Sequence, residues 1–389
     1  MNLACDVLVV GGGVAGVPAA VAASRAGAQT ILVEREAFLG GTGVTALHRY
    51  ICGLYLNGPD EPDETLNPGL AREVVAQLKT LSPASRPLRM GRVWGFPFEP
   101  AHLRAVYESL AQGEPNLTRI TSAALESVQC EDNWITSVTV KTPEGETQIS
   151  PRALIDATGS GALIEASGAP SQPAPEHERQ QSGYTLHLDE IEGERQLLAI
   201  KIAWHLGHLP TLDQKGLPPF AGFAAGGGEH DGFCKFSIPQ ELTSQGEEVI
   251  QQRLARVHNL LVAHVPELRN SRVTGQSRVT EREGIRLAGE WELDESSVLQ
   301  ARKFANGVAR NAWPIEFWEP DNSGPLYAYP PDGDYYEIPR RCLRSRTVPN
   351  LFATGRCISA SDRALASTRA MGTCIALGEA AGKLAAIYR

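Results

Sequence analysis

A glycine-rich turn between a predicted strand and a predicted helix constrains this chain more than any other feature. Residues 5–10 are short, rich in valine and followed at once by glycine, which predicts a buried strand. Three glycines then have the spacing G-x-G-x-x-G, namely Gly11, Gly13 and Gly16. Residues 14–26 predict a helix of small side chains, and residues 30–33 predict a second buried strand that ends beside Glu34. The start of the chain therefore predicts a βαβ unit.

This spacing has a physical explanation in dinucleotide binding. The first glycine permits the tight turn, the second lets a pyrophosphate approach the backbone, and the third allows the helix to pack closely on the strand. Val14 and Ala15 stand at the predicted helix N-terminus, where free N–H groups attract phosphate. Glu34, followed by Arg35, is placed to accept hydrogen bonds from an adenosine ribose, and its charge disfavours a 2′-phosphate. The alternative is a glycine-rich turn that binds nothing.

Three further segments favour FAD over NAD as the dinucleotide. A second glycine loop follows Glu34 closely, and a short predicted strand near residue 155 ends in Ala-Thr-Gly. A third segment, Gly355 with Arg356, follows another short strand near the C-terminus. The cofactor-binding residues predicted from the first two segments are Gly40, Gly41, Thr42, Ala157, Thr158 and Gly159. Because no second G-x-G-x-x-G has a strand–helix context, a dedicated nicotinamide domain is not expected.

The C-terminal segments resemble the FAD-dependent oxidoreductase family of glutathione-reductase-like, Rossmann-type fold. The resemblance rests on residues 350–361, 364–374 and 378–382, on the arginine-containing run 282–286, and on Tyr-Glu-Ile-Pro-Arg-Arg-Cys-Leu at 336–343. It covers both ends of the chain and little of residues 170–275. One departure is Glu316-Phe317-Trp318, where the resemblance leads us to expect an acidic residue followed by histidine.

The resemblance implies non-covalent FAD and a redox reaction, without fixing the substrate. It also implies that a helix starting near Met371 points its N-terminus at the flavin, with Gly372 and Thr373 supplying N–H groups. The positive end of that helix would stabilise negative charge on the reduced flavin. A small-residue helix packed on the sheet is a compatible alternative.

The predicted fold class is α/β, a Rossmann-type FAD-binding domain with an inserted α+β substrate domain. We expect residues 1–169 and 276–389 to form the FAD-binding domain and residues 170–275 to form the insertion. Within these limits the sequence predicts helices over Leu70–Leu81, Pro100–Gln112 and 371–388, a loop over 222–232, and strands over 279–293.

The substrate side has weaker signals. Arg49, Tyr50 and Arg369 are the candidate catalytic residues. Arg49 could hold a carboxylate or an anionic flavin, and Tyr50 could stack on a substrate or donate a proton. For both residues the alternative is a packed loop without a catalytic role. Arg369 could place a cation at the catalytic face. Arg282 and Arg286, four apart, would share one face of a strand and either line an anion site or pair with neighbouring glutamates.

Trp313, Phe317 and Trp318 could wall a substrate pocket or belong to the core. Cys52 could attach flavin covalently, although a core thiol is the simpler interpretation. The histidines of the middle segment show neither metal-ligand nor triad spacing.

Hydride transfer from a small organic substrate to FAD is the function that these residues favour. An FAD monooxygenase that uses O2 and NAD(P)H is one alternative, and its substrate could be a peptide or protein side chain. A non-catalytic flavoprotein is another. The electron acceptor that reoxidises the flavin could be oxygen, a quinone, a carrier protein or NAD(P)H.

Charge and cysteine spacing argue against several other classes of protein. The formal net charge is −9, from 36 Lys and Arg against 45 Asp and Glu, and no run of basic residues offers a nucleic-acid surface. The seven cysteines contain no C-x-x-C pair, which argues against a zinc site or a disulfide framework. No positively charged leader precedes the first strand, and no stretch approaches the ~20 apolar residues of a membrane span. We therefore expect a cytoplasmic protein without bound metal.

Overall fold

The computed structural model describes residues 1–173, 178–195, 197–207, 217–320 and 324–388. Its strands, in chain order, are β1 Asn2–Val10, β2 Thr30–Val33, β3 Tyr50–Cys52, β4 Leu88–Met90, β5 Val93–Pro97, β6 Leu117–Ile120, β7 Ala124–Glu131, β8 Trp134–Thr142, β9 Gly145–Asp156, β10 Ser171–Gln172, β11 Ser182–Asp189, β12 Phe220–Ala225, β13 Gly232–Ile238, β14 Arg272–Gln276, β15 Arg286–Leu287, β16 Gly307–Asn311, β17 Ile315–Trp318, β18 Pro325–Ala328, β19 Tyr336–Pro339 and β20 Leu351–Ala353.

The α-helices are α1 Gly16–Arg25, α2 Thr42–Thr45, α3 Leu70–Leu81, α4 Pro100–Gln112, α5 Ala162–Ser167, α6 Leu198–Gly207, α7 Gln240–Thr243, α8 Glu247–His264, α9 Glu295–Leu299, α10 Asp362–Thr368 and α11 Met371–Ala386. Short 3-10 helices occupy Pro266–Leu268, Arg340–Cys342 and Gly355–Cys357.

A seven-stranded sheet organises both ends of the chain. Its order is β6-β2-β1-β9-β8-β7, with β20 beside the second half of β9. Strand β1 runs parallel to β2 and β9, so that Val9 is opposite both Leu32 and Ile155. Strands β7 and β8 add an antiparallel hairpin next to the first half of β9. The βαβ start and the parallel centre confirm the predicted α/β class.

The first and last helices pack on each other at backbone distance. Helix α1 is buried from Gly16 to Ser24, as its small side chains predict. A Cβ on Gly378 would overlap the carbonyl oxygen of Ala15, one turn away from the equivalent contact of Gly382 with Ala19. Two helices can approach this closely only where side chains are absent. The packing fixes the N-terminus of α1 beside the middle of α11.

A second sheet, made by residues 182–276, is antiparallel with the order β12-β13-β11-β14. Along β13, Cys234 and Phe236 are buried in a core shared with Leu254 and Leu261 of α8. Because successive side chains alternate across a strand, Lys235 lies on the opposite face of the sheet. That face is directed toward β3, which follows the second glycine loop, as the contact of Phe233 with Arg49 shows.

Four small sheets complete the fold of the described residues. They pair β3-β5-β4, β10-β15, β16-β19 and β17-β18. In the last of them Glu316 is directly opposite Tyr327.

The structure confirms some sequence predictions and corrects others. Helices α3 and α4 match the predicted ranges, and α11 ends two residues before the predicted 388. The loop prediction for 222–232 is wrong at its start, because glycine-containing residues 222–225 continue β12. The strand prediction for 279–293 is wrong over most of that stretch, where β15 covers only Arg286 and Leu287. The two buried charged side chains of this stretch have specific partners, Glu283 with Gln180 and Arg286 with Asp362.

Among the residues that the structure describes, no helix combines the length and apolar character needed to cross a membrane.

Candidate functional site

The turn between β1 and α1 is shaped by contacts that exclude side chains. Gly11 has φ of +104°, and a Cβ there would lie 2.5 Å from the carbonyl oxygen of Ala157. A Cβ on Gly16 would overlap the carbonyl oxygen of Gly11. Both glycines are therefore required by the protein's own packing. Gly13 differs, because its Cβ would meet only the Cα of Gly41, at 3.9 Å.

Free donors surround the open space at Gly13. Ala15 caps α1 without a side-chain hydrogen bond. The backbone N–H groups of Gly13, Val14 and Ala15 have no acceptor within the described part of the chain. Unpaired N–H groups at a helix N-terminus form a ready anion site. This space, bordered by these donors, fits one phosphate of a dinucleotide.

Glu34 shapes the same turn. Its carboxylate accepts hydrogen bonds from the N–H of Gly12 at 2.5 Å and from the N–H of Glu36 at 2.9 Å. The side chain is buried, at 6% exposure. Glu34 thus orders the turn, in addition to the ribose contact predicted for it. The neighbouring Arg35 is 80% exposed and lies 3.9 Å from a carboxylate oxygen of Glu36.

The second glycine loop contacts the first. The N–H of Gly40 donates to the carbonyl oxygen of Gly12 at 2.8 Å. Gly41 precedes α2, which begins at Thr42, and a Cβ on Gly41 would lie 2.8 Å from the Cα of Gly13. The two loops therefore form one continuous cradle.

Asp156 holds the Ala-Thr-Gly turn at the end of β9. It is fully buried and accepts hydrogen bonds from the N–H and hydroxyl of Thr158, at 3.0 and 2.7 Å, and from the N–H of Ile164 at 2.9 Å. Burial raises the pKa of Asp156, an effect that these hydrogen bonds oppose. The sequence predicted Ala157, Thr158 and Gly159 here but not the positioning role of Asp156.

The C-terminal segment joins this cradle. Gly355 faces Ala15, whose Cβ lies 3.1 Å from the Cβ position of the glycine. Arg356 donates to the carbonyl oxygens of Gly159 at 3.1 Å and Glu281 at 2.7 Å. Residues from the start, middle and end of the chain thus meet at one place.

The N-terminus of α11 offers a second group of free donors. The N–H groups of Gly372 and Thr373 have no acceptor among the described residues, and Ala370 provides no side-chain cap. The hydroxyl of Thr373 is also buried without a partner. A Cβ on Gly372 would lie 2.7 Å from the backbone of Gly53, so this helix end is pressed against the loop that follows β3. Met371 approaches the second glycine loop at Gly43.

Two predicted catalytic residues, Arg49 just before β3 and Tyr50 in β3, differ in whether their side chains already have a partner. Arg49 is buried, pairs through both terminal nitrogens with the carboxylate of Glu99, and lies 4.8 Å from the centroid of the Phe233 ring. Its charge is therefore already balanced. Tyr50 is half-buried, and burial raises its pKa. Burial also raises the pKa of Cys52 to about 12, so this thiol is protonated and a poor nucleophile for covalent flavin attachment.

Arg369 lies just before α11, and its side chain reaches β17. Its guanidinium donates to the carbonyl oxygen of Glu316 at 2.8 Å and to the side chain of Gln180 at 3.3 Å. Its Nε is buried without a partner.

Glu316 is a site residue that the sequence did not predict. Its two carboxylate oxygens accept hydrogen bonds from the indole N–H groups of Trp318, at 3.1 Å, and Trp313, at 3.3 Å. The only signal was the departure from the family pattern at Glu316-Phe317-Trp318. The two tryptophans, predicted as pocket wall or core, are buried and orient this carboxylate.

Lys235 and His48 also lie near this group, and neither is among the predicted catalytic residues. Burial lowers the pKa of His48 to about 3, and the charges of Lys235, Arg282 and Arg369 act in the same direction. The imidazole is therefore neutral near pH 7. Lys235 has no spacing motif, because only tertiary structure brings β13 to this place.

The prediction that Arg282 and Arg286 share one strand face is wrong. Arg286 is buried in β15 and pairs with Asp362 at 2.5 Å. Arg282 lies outside the strand and donates to the carbonyl oxygens of Gln181 and Ser182. The arginines have separate partners, and Arg282 alone joins the group around Glu316.

The fold and the cradle define a dinucleotide-binding protein with a Rossmann-type domain and a second sheet facing the cofactor side. The sequence model of the family described as FAD dependent oxidoreductase matches residues 6–389, and the chain belongs to this family. FAD is therefore its cofactor, and the protein is an oxidoreductase. The glutathione-reductase-like subtype stays a prediction. Among curated proteins, no sequence match was found.

Solved structures share the fold at low sequence identity. A geranylgeranyl bacteriochlorophyll reductase-like protein from Thermoplasma acidophilum is 13% identical with a TM-score of 0.50, covering 99% of this chain and 78% of that one. A flavoprotein/dehydrogenase from Cytophaga hutchinsonii is 12% identical with a TM-score of 0.52, covering 98% and 78%. At this identity they support the Rossmann-type architecture and nothing finer.

Proposed function

We propose that the protein oxidises a small organic substrate by hydride transfer to FAD, and that the substrate binds between the N-terminus of α11 and the face of the second sheet that carries Lys235. The observation that carries this proposal is the position of Glu316. Two indoles orient its carboxylate, and Arg369, just before α11, contacts its backbone.

Both ends of FAD have donors suited to them. The N–H groups of Val14 and Ala15 would bind the pyrophosphate, together with the backbone at Gly13. The N–H groups of Gly372 and Thr373 would contact the flavin. Arg35, Thr42, Gly355, Arg356 and Met371 would border the cofactor between these ends. We further propose residues 170–275 as the substrate-binding insertion.

Bound FAD supplies the hydride acceptor. As the hydride leaves a substrate carbon, the attached hydroxyl or amine must lose a proton for the double bond to form. Glu316 would accept that proton on a carboxylate oxygen, since both oxygens keep lone pairs beyond the indole contacts. Tyr50, half-buried on β3, would form part of the opposite wall. Neutral His48 would add a hydrogen bond without adding charge.

The experiment is anaerobic mixing of the FAD-loaded protein with a panel of small alcohols, amines and hydroxy acids, followed by flavin absorbance. A substrate that bleaches the flavin in single turnover supports the proposal. Glu316→Gln should then slow bleaching by about 100-fold, within the usual contribution of a general base, while FAD content stays unchanged. Glu319→Gln is the control, because its carboxylate faces Arg363 instead.

Two outcomes would overturn the proposal. NAD(P)H oxidation coupled to a hydroxylated product would indicate the monooxygenase alternative. Flavin that remains oxidised with every donor would indicate the non-catalytic alternative.

A further inference from the structure

Three cations converge beside Glu316 without a carboxylate partner of their own. They are Lys235 on β13, Arg282 before β15 and Arg369 before α11, here called the cationic cluster. Within the described part of the chain, no carboxylate lies in salt-bridge contact with any of the three. All three residues are half-buried, so water only partly compensates their charge.

Neighbouring backbone anchors hold the two arginines in place. Arg282 donates to the carbonyl oxygen of Ser182 at 2.7 Å and to that of Gln181, and its guanidinium carbon lies 4.3 Å from the centroid of Trp318. Arg369 donates to the side chain of Gln180, which also accepts from the N–H of Trp318 at 3.2 Å. Both guanidinium groups are therefore fixed along one short segment, next to the indole that orients Glu316.

Lys235 approaches from the second sheet. It lies on the face opposite the buried Cys234 and Phe236, and no hydrogen-bond acceptor contacts its ammonium group among the described residues. Burial lowers the pKa of Lys235, and the positive charges of Arg282 and Arg49 add to this effect. Both arginines of the cluster donate to neighbouring groups, whereas the described residues give this ammonium group no partner.

The acidic residues near the cluster do not balance it. The charge of Glu316 reaches all three cations, but it supplies one negative charge against three positive charges. Glu283 also affects Arg369, but the hydrogen bonds that its carboxylate accepts come from Gln180 and not from a cation of the cluster. Burial and the charge of Arg369 lower the pKa of Arg282 to about 9. The cluster therefore has an excess of positive charge.

Three other buried or half-buried arginines are neutralised by carboxylates, in the pairs Arg49–Glu99, Arg286–Asp362 and Arg363–Glu319, whereas Arg356 donates only to carbonyl oxygens. Three cations gathered at one place with so little negative charge beside them are suited to an anion supplied from outside the chain. The pyrophosphate of FAD has a separate anion site of its own, formed by Gly13 and the free N–H groups of the β1–α1 turn.

We infer that the cationic cluster binds the carboxylate group of the substrate, with Lys235 as the principal contact, so that the substrate is a small carboxylic acid. This inference rests on the proposed function, since it places the substrate in the same site.

Binding can be measured without turnover, by the perturbation of flavin absorbance in the FAD-loaded protein. The probes are acetate, benzoate and phenylacetate, each compared with its amide, which has nearly the same shape and no charge. We expect carboxylate binding with a dissociation constant at least tenfold below that of the matched amide. Lys235→Met should weaken carboxylate binding at least tenfold, Lys235→Arg should restore part of it, and amide binding should not change.

Lys141→Met is the matched control, because Lys141 is an exposed strand lysine in the seven-stranded sheet. Equal binding of acids and amides up to 0.1 M would overturn the inference, as would a Lys235→Met variant that retains carboxylate affinity. A Lys235→Met variant that loses FAD or shifts the flavin potential, with carboxylate affinity intact, would assign the cluster to the flavin instead. Carboxylate binding without flavin reduction by any donor would contradict the proposed function while supporting this site.

Discussion

Gly13 and Gly41 face each other across the cofactor cradle with unequal room for a side chain. A Cβ on Gly41 would lie 2.8 Å from the Cα of Gly13, whereas a Cβ on Gly13 would come no closer than 3.9 Å to the Cα of Gly41. The protein's own packing therefore forbids a side chain at Gly41 and tolerates one at Gly13. What Gly13 leaves open is the space bordered by the free N–H groups of Val14 and Ala15.

Gly13→Val should separate cofactor binding from folding. The valine would enter the space proposed for the pyrophosphate, so we expect retained FAD to fall at least tenfold, which corresponds to about 1.4 kcal/mol of binding free energy. The unfolding midpoint of the FAD-free protein should stay close to that of the wild type. The measurements are the ratio of flavin to protein absorbance after purification and thermal unfolding of the FAD-free protein.

Gly58→Val is the control, since a side chain there meets nothing within 4 Å. Gly16→Ala should instead destabilise the FAD-free protein itself, because its Cβ would overlap the carbonyl oxygen of Gly11. Full flavin content in Gly13→Val would show that the pyrophosphate binds elsewhere.

Tyr336→Phe should destabilise the buried hydrogen-bond network that contacts Trp313. The Tyr336 hydroxyl contacts Asn311 at 2.6 Å and Ser367 at 2.7 Å, and Ser367 donates to the carbonyl oxygen of Trp313 at 2.6 Å. All three polar side chains are fully buried, so loss of the hydroxyl leaves partners unsatisfied. We expect a loss of about 1–3 kcal/mol in the free energy of unfolding, measured by urea denaturation.

Tyr388→Phe is the matched control, because the described residues offer its hydroxyl no hydrogen-bond partner. Equal stability of the Tyr336→Phe variant and the wild type would show that the buried network contributes little.

Glu99→Gln should lower the free energy of unfolding more than the loss of a surface ion pair does. It would leave the guanidinium of Arg49, 8% exposed, without its counter-charge over Phe233. Since Glu99 is itself 39% exposed, we expect a loss of about 1–3 kcal/mol, below the value for a fully buried pair. Glu64→Gln, which breaks the exposed pair with Arg72, should cost less than about 1 kcal/mol by the same denaturation assay. Comparable losses in the two variants would refute a structural role for the Arg49 pair.

Acid sensitivity should depend on His48. Its pKa is about 3 in the folded protein against 6.5 for a free histidine, so below pH 6.5 the unfolded state binds a proton that the folded state rejects. Stability is therefore complete above pH 6.5 and falls as the pH is lowered, by up to about 2 kcal/mol at pH 5. His48→Gln should reduce this loss, measured by urea unfolding of the FAD-saturated protein from pH 7 to pH 5. Parallel pH profiles for the two proteins would contradict the lowered pKa.

The sequence alone was sufficient to predict those elements whose apolar residues follow a local periodicity. Helices α3 and α4 matched because their apolar residues recur at helical spacing, and the βαβ start matched because the strand, glycine turn and helix are contiguous. The prediction failed at residues 222–225, where a glycine that is typical of loops lies inside β12. It failed again near Arg286, because burial of charged side chains there depends on distant partners such as Asp362.

The site residues also fall into two groups, those that a local motif predicts and those that only the tertiary structure brings together. Gly13, Glu34 and Thr158 belong to short motifs whose spacing has a physical reason, so the order of residues along the chain is enough to find them. Lys235 and Glu316 belong to different sheets, and only their proximity in the folded chain identifies them as site residues. No spacing rule could relate them, because only the tertiary structure brings β13 and β17 into electrostatic range of each other.

The backbone contact between α1 and α11 has a consequence for synthesis. The turn proposed to bind the pyrophosphate is synthesised well before the glycine face that covers α1, because that face belongs to α11. Until Gly378 and Gly382 emerge from the ribosome, the small apolar face of α1 remains open and the proposed flavin end of the cradle is missing. We therefore expect FAD loading to follow the synthesis of α11, and a nascent chain interrupted before α11 would have half of the proposed binding site and an uncovered helix.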